Sequence, residues 1–234
     1  MDDDRVAIVT AAGRGMGEAC ARRLTEDGYT PVLLSKSGAA VDVAEDLGGV
    51  GFAGSVTDPT DLEALVEAAV ERYGRVDAVV NNTGHSPTGE LLDVDDGEWY
   101  EGMDLVLMNV IRMARLVTPV MREGDGGAFV NISTFSAFEP SAEFPVSSVL
   151  RAALGSFTKL YADRYASEGI RMNAVLPGFV DSYEVDAATR ERIPMDRPGT
   201  TEEIADVVAF LVSPEASYLT GQNVRVDGGL TRSV

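Results

Sequence analysis

Cysteine is all but absent: Cys20 is alone in 234 residues, so no internal disulfide can form and a reducing compartment is expected. Histidine occurs once, as His85. No group of histidine, cysteine and acidic residues has metal-ligand spacing, so no metal site is expected. No apolar run approaches the length of a membrane helix, and the acidic start MDDDR lacks the basic region of a signal peptide. The reading is a cytoplasmic protein without membrane attachment. Positive charge is scarce too. Lys and Arg total 19, with Lys36 and Lys159 the only lysines, against 38 Asp and Glu, a net charge of −19. Such a surface repels nucleic acid and anionic lipid, which excludes both as partners.

What the chain does have is a regular alternation. Short apolar runs at 6–10, 31–34, 50–54, 77–81, 128–132, 170–176 and 223–227 read as strands. Helical patterns lie between them. In 58–73, Asp58 and Pro59 form a start signal, followed by Leu62, Leu65, Val66, Ala69, Val70 and Tyr73 on one face. In 200–212, Thr200 and Glu203 form a capping box ahead of Ile204, Val207, Val208 and Leu211. Continuously apolar strands separated by helices imply an α/β fold, a doubly wound parallel sheet of about seven strands covered on both faces. No repeat or composition break divides residues 1–234, which read as one domain. In such sheets ligands bind outside the carboxyl ends of the strands, so the loops there are where chemistry is sought.

Directly after the first strand, TAAGRGMG (10–17) runs into the helix that follows. Gly13, Gly15 and Gly17 permit a tight turn and close approach of backbone to a pyrophosphate, and the helix N-terminus offers amide donors. After the second strand the chain reads LLSKSG, with Ser35, Lys36 and Ser37 and no acid to hold a ribose 2′-hydroxyl. Lys36 and Arg14 are cations in an acidic protein, which points to NADP(H) in preference to NAD(H). The alternative is that Lys36 is merely solvated and Arg14 pairs with an acidic neighbour.

A third stretch, FPVSSVLRAALGSFTK (144–159), is unusual. Pro145 can open a helix, and Val149, Leu150, Ala153, Leu154 and Phe157 recur at helical spacing. Ser147 and Arg151 stand four residues apart on one face.

Over essentially its whole length the sequence resembles the short-chain dehydrogenase/reductase family. The resemblance is carried by TAAGRGMG, DAVVNNTG (77–84), AFVNIST (128–134), IRMNAVLPG (170–178) and TGQNVRVDGG (220–229). It implies a Rossmann-like domain, a nicotinamide dinucleotide, a small-molecule substrate and a homodimer or homotetramer. By the same resemblance Thr10, Arg14, Gly15, Met16 and Gly17 would cradle the phosphates, and Asn82, Thr83 and Gly84 would run beside the cofactor. Pro177, Gly178, Val180 and Ser182 would wrap its nicotinamide end.

The departures from the family pattern are informative. The family's catalytic serine falls on Thr134, its tyrosine on Ser147, its lysine on Arg151, and an asparagine of the preceding helix on Val106, with Asn109 one turn further on. Ala11 replaces a usual glycine, and Ser55 an aspartate. An aliphatic hydroxyl is a far weaker acid than a phenol, and losing a general acid costs on the order of 10²–10⁴ in rate. Arg151 keeps the charge but cannot relay a proton, and its fork suits a carboxylate or phosphate. Three readings follow. The first is an NADP(H)-dependent reductase of a small carbonyl or imine. Its proton comes from His85, from a water held between Ser147 and Thr134, or with an already protonated imine. The second is a non-redox enzyme resembling halohydrin dehalogenases. Those carry arginine at the lysine position but retain the tyrosine and abandon the glycine turn. The third is a nucleotide-binding protein with little catalysis, in which Ser147 caps a helix and Arg151 is neutralised by Glu139 or Glu143. Asn131 and Asn173 are expected to satisfy backbone groups within their strands.

Overall fold

A computed structural model describes residues 5–233. Its strands are β1 (Arg5–Thr10), β2 (Tyr29–Ser35), β3 (Val50–Ala53), β4 (Ala78–Asn81), β5 (Gly127–Ile132), β6 (Ile170–Pro177) and β7 (Asn223–Val226). All seven lie in one parallel sheet, ordered β3-β2-β1-β4-β5-β6-β7. The helices are α1 (Gly15–Glu26), α2 (Ala39–Asp46), α3 (Pro59–Tyr73), α4 (Asp96–Met103), α5 (Asn109–Glu123), α6 (Pro145–Tyr165), α7 (Ala187–Glu191) and α8 (Thr201–Val212). None among the described residues is long and apolar enough to cross a membrane.

Strand periodicity builds the two layers of core. In β1, Ala7 and Val9 join Leu24, Leu33, Val80, Val208 and Leu211 on one side of the sheet. Val6 and Ile8 join Leu62, Leu65, Met113, Val117 and Phe129 on the other. Helices α1 and α8 therefore cover one face, and α3, α5 and α6 the other.

Both start signals operate as read. The Asp58 side chain accepts from the Thr60 amide at 2.9 Å ahead of α3. Thr200 and Glu203 close a capping box on α8. Glu203 also takes both guanidinium nitrogens of Arg197, at 2.7 and 2.8 Å. These bonds hold its carboxyl down at about 2. The anchored segment matters to the site, because Gly199 pairs with the loop after β6, exchanging backbone bonds with Phe179 and Asp181 at 2.9 Å each. Glu203→Gln is expected to destabilise the protein by about 0.5–1 kcal/mol near neutral pH. A carboxyl with a depressed folded-state pKa stabilises above its ordinary range, and that stability is lost as pH falls toward 2. Urea melts at successively lower pH should therefore show the variant's deficit shrinking from about 4.5 downward.

The order of strands reverses at β1, which has β2 on one side and β4 on the other. A crevice opens there outside the carboxyl ends of β1 and β4. Between α4 and α5 the helical path takes one π turn, Asp104–Met108, that carries Val106 into a small apolar cluster with Val146, Leu150 and Leu154. Gly102 is what lets α4 meet α6 so closely, since a Cβ there would lie 2.3 Å from Val146 Cγ1. This packing fixes the first turns of α6, and Ser147 and Arg151 with them.

Candidate active site

The crevice deepens into a cavity of about 570 Å³. Four strand-end loops and the start of α6 wall it. The glycine turn after β1 contributes Met16, and the loop after β4 contributes Asn82, Thr83, Gly84 and His85. From the end of β5 come Ser133, Thr134, Phe135 and Ser136, and from α6 come Ser147 and Arg151. The loop after β6 adds Pro177, Gly178, Phe179, Val180 and Ser182 to Tyr183 and Glu184. Phe135, Ser136, Phe144, Phe179 and Glu184 are wall residues that sequence reasoning did not single out. Their only signal was their place just after a strand or just before a helix. His85 and Tyr183 meet edge-on across the mouth, ring centroids 4.7 Å apart.

The glycine turn explains itself by contact. A Cβ on Gly17 would lie 2.3 Å from the Ala11 carbonyl oxygen, and one on Gly13 would lie 2.9 Å from both Ala39 Cβ and Ser35 Oγ. Gly15 needs its freedom differently, holding a left-handed φ of 58°. Ala11 does so as well, at φ 48°, with a side chain that disfavours it. Ala11→Gly should therefore raise the melting temperature by about 1–2 °C, the relief of that crowding net of glycine's extra freedom when unfolded. Calorimetry would check it, and a comparable fall would show that the Ala11 methyl packs usefully.

Thr10 is engaged within the protein. It is 2 % exposed, and its hydroxyl donates to the Asn82 carbonyl at 2.7 Å and accepts from the Asn82 amide at 3.0 Å. It ties the ends of β1 and β4 together behind the turn. Ser35 is likewise occupied, accepting from the Ala40 amide at 2.9 Å to cap the start of α2. Arg14 and Lys36 are exposed, and neither forms an ion pair among the described residues. The acidic partner of the alternative reading for Arg14 is thus absent there.

Three further readings need correction. Asn131 satisfies no backbone group with its side chain. Its Oδ1 accepts from Asn81 at 2.9 Å and its Nδ2 donates to Thr158 at 3.0 Å, a buried bridge from β4 through β5 to α6. Asn173 behaves as read, donating to the Leu219 carbonyl and accepting from the Gln222 amide. Arg151 is not neutralised by Glu139 or Glu143. Glu139 instead accepts from the amides of Arg232 and Ser233, at 2.6 Å each. The Arg151 guanidinium, 8 % exposed, donates 2.5 Å to the Ile132 carbonyl at the end of β5. Burial pulls its pKa down to about 10, which leaves it charged at neutral pH. Nor does Ser147 cap α6: the residue before the helix makes no side-chain cap, and it is Ser148 that binds the loop, at the Ser141 amide.

Nearly the whole chain aligns with known proteins. A family model described as enoyl-(acyl carrier protein) reductase matches residues 10–231. The chain is 34% identical over 238 residues to a 3-oxoacyl-(acyl-carrier-protein) reductase of Vibrio cholerae, covering 97% of this chain and 98% of that one. It is 34% identical over 242 residues to human dehydrogenase/reductase SDR family member 4, covering 97% and 87%. The chain belongs to the short-chain dehydrogenase/reductase family. Members of this family are oxidoreductases, and the parallel sheet with its crevice at β1 and β4 is the expected scaffold.

A dinucleotide fits the short-chain dehydrogenase/reductase cavity on the structure's own terms. The Oγ atoms of Ser133, Ser136 and Ser182 are buried in its wall without a partner. Arg14, extended ahead of α1, makes no side-chain cap, so no cap competes for first-turn amides that would suit an anionic group.

Proposed function

We propose that the protein is an NADP(H)-dependent reductase of a small carbonyl or imine, working with Ser147 and Arg151 where its family carries tyrosine and lysine. One observation carries this reading: the glycine turn, the partnerless hydroxyls and the buried guanidinium converge on a single cavity. The residues read as cofactor contacts, Gly15, Met16, Gly17, Asn82, Thr83, Gly84, Pro177, Gly178, Val180 and Ser182, lie in or directly beside that crevice.

The NADP(H) preference draws support from Arg14 and Lys36. A Cβ on Gly13 would lie 2.9 Å from Ser35 Oγ, so the glycine turn and the end of β2 run close together, and no acid stands between β2 and α2. Two cations without ion-pair partners among the described residues suit a 2′-phosphate. The intact glycine turn argues against a halide pocket of the dehalogenase kind.

A reduced nicotinamide, when bound, supplies a hydride to the carbonyl carbon. The oxygen then gains charge and must take a proton to become an alcohol. Thr134 and Ser147, neither with a protein partner for its hydroxyl, offer hydrogen bonds to that oxygen, and Arg151 places a positive charge in the same wall. The proton itself comes from the His85 imidazolium at the mouth or from water held by Thr134 and Ser147. Val106, in the family's asparagine position, is buried among apolar residues and adds nothing polar. Asn109 donates to the Leu105 carbonyl at 2.7 Å within its own helix.

A homodimer or homotetramer is part of the reading. Val149 and Leu160 are 53 % and 68 % exposed on the outer side of α6, and Tyr218 is fully exposed beyond α8. The decisive experiment is isotopic. NADPH deuterated at the transferable position, incubated with a panel of small ketones, aldehydes and imines, should pass deuterium to carbon in the product. Tight NADPH binding with no transfer to any of them would instead support a nucleotide-binding protein with little catalysis.

A further inference from the structure

Structural arginines in this protein are finished with partners. Arg171, partly buried, donates to the carbonyls of Leu211, Val212 and Ser213 at 2.6, 3.1 and 3.0 Å. Arg112 pairs with Asp104 at 2.7 Å. Arg151 is the exception. It is more deeply buried than either, yet it has one bond, through Nη1 to Ile132, and its remaining N–H groups have no protein partner among the described residues. A buried charge without a counter-charge is destabilising by several kcal/mol, on the order of the whole effect of breaking a buried pair.

None of the nearby acids forms an ion pair with Arg151 among the described residues. Glu139 is held by the amides of the C-terminal segment. Asp186 caps α7 at the Thr189 amide, 2.7 Å away. Glu184 lines the cavity from an exposed position on the opposite loop and pairs with no cation. The same cavity wall carries the hydroxyls of Ser133, Thr134 and Ser147, none with a hydrogen-bond partner among the described residues. That wall holds a buried guanidinium and three hydroxyls able to donate, and no carboxylate among the guanidinium's partners.

We propose that Arg151 binds the carboxylate of the substrate, so that the reductase reduces a small oxo-acid and not a neutral ketone. This rests on the reductase reading for the reaction, but not for the anion site. A forked guanidinium meets a carboxylate with two parallel hydrogen bonds, and the hydroxyls of Thr134 and Ser147 then face the neighbouring carbonyl. The bound carboxylate supplies the charge that the protein alone omits.

The test compares acetoacetate with pentane-2,4-dione, a neutral molecule of the same shape, by titration calorimetry and thermal melting, with and without NADPH. Wild type should bind acetoacetate at least tenfold more tightly than the dione and melt higher in its presence. Arg151→Met should lose that preference and bind acetoacetate at least tenfold more weakly, while melting no lower than wild type in buffer. Arg151→Lys, which keeps the charge without the fork, should fall between them, and carries the comparison if the methionine variant fails to fold. Equal binding of the two probes to wild type, or acetoacetate affinity unchanged in the variants, would overturn the proposal. So would tighter binding of inorganic phosphate than of acetoacetate, or a loss confined to NADPH affinity, which would assign Arg151 to the cofactor. Acetoacetate binding in a protein that fails to bind NADPH would leave the anion site standing and remove the reductase.

Discussion

Gly17→Ala should reduce nucleotide affinity by at least about 100-fold, the scale on which a displacement of about an ångström at a positioned site acts. The added Cβ would land 2.3 Å from the Ala11 carbonyl oxygen and 2.8 Å from Asn82 Nδ2. Neither the backbone of the turn nor the end of β4 can yield without opening the crevice. Thr10 has already locked those two strand ends together through Asn82. The overpacking should also lower stability by about 1–3 kcal/mol. Circular dichroism melts beside a fluorescence titration separate the two effects. A folded variant with unchanged NADPH affinity would show that the nucleotide does not sit on this turn.

Ser147→Tyr should act in the opposite direction. The serine hydroxyl ends one carbon from the backbone, whereas a phenol would reach into the cavity of about 570 Å³ and bring a much stronger acid to the carbonyl oxygen. On any substrate that wild type reduces, turnover should rise, by up to the 10²–10⁴ that a general acid typically contributes. The guanidinium four residues along α6 would favour the phenolate, as a neighbouring cation does for any acid. The pH profile of turnover should accordingly gain a titration from the new group. If turnover stays level or falls in a folded variant with normal cofactor affinity, Ser147 does not stand at the proton-delivery position.

Much of the fold could be read from spacing alone. Each strand is a short apolar run because its side chains enter a core on both faces, as Val6 with Ile8 and Ala7 with Val9 do in β1. The starts of α3 and α8 were legible because capping depends on residues one to three apart. The π turn at Asp104–Met108 was not, since a widened turn has no compositional mark. In the site, loop positions after strands were foreseeable, but partners were not. Glu139 looked available to Arg151 by proximity in sequence, yet it is taken by amides more than ninety positions away. Asn131 looked like a partner for backbone groups, but long-range pairing joins it to Asn81 and Thr158, and Thr10 is bonded to Asn82, seventy-two positions away. The contact of His85 with Tyr183 joins two loops that share nothing in sequence.

Nucleotide binding tests the account most directly. Fluorescence titration of the purified protein with NADPH and with NADH should give saturable binding, at least tenfold tighter for NADPH, and Lys36→Ala with Arg14→Ala should erase the difference without abolishing binding. Absence of saturable binding for either nucleotide, in protein shown to be folded, would contradict it.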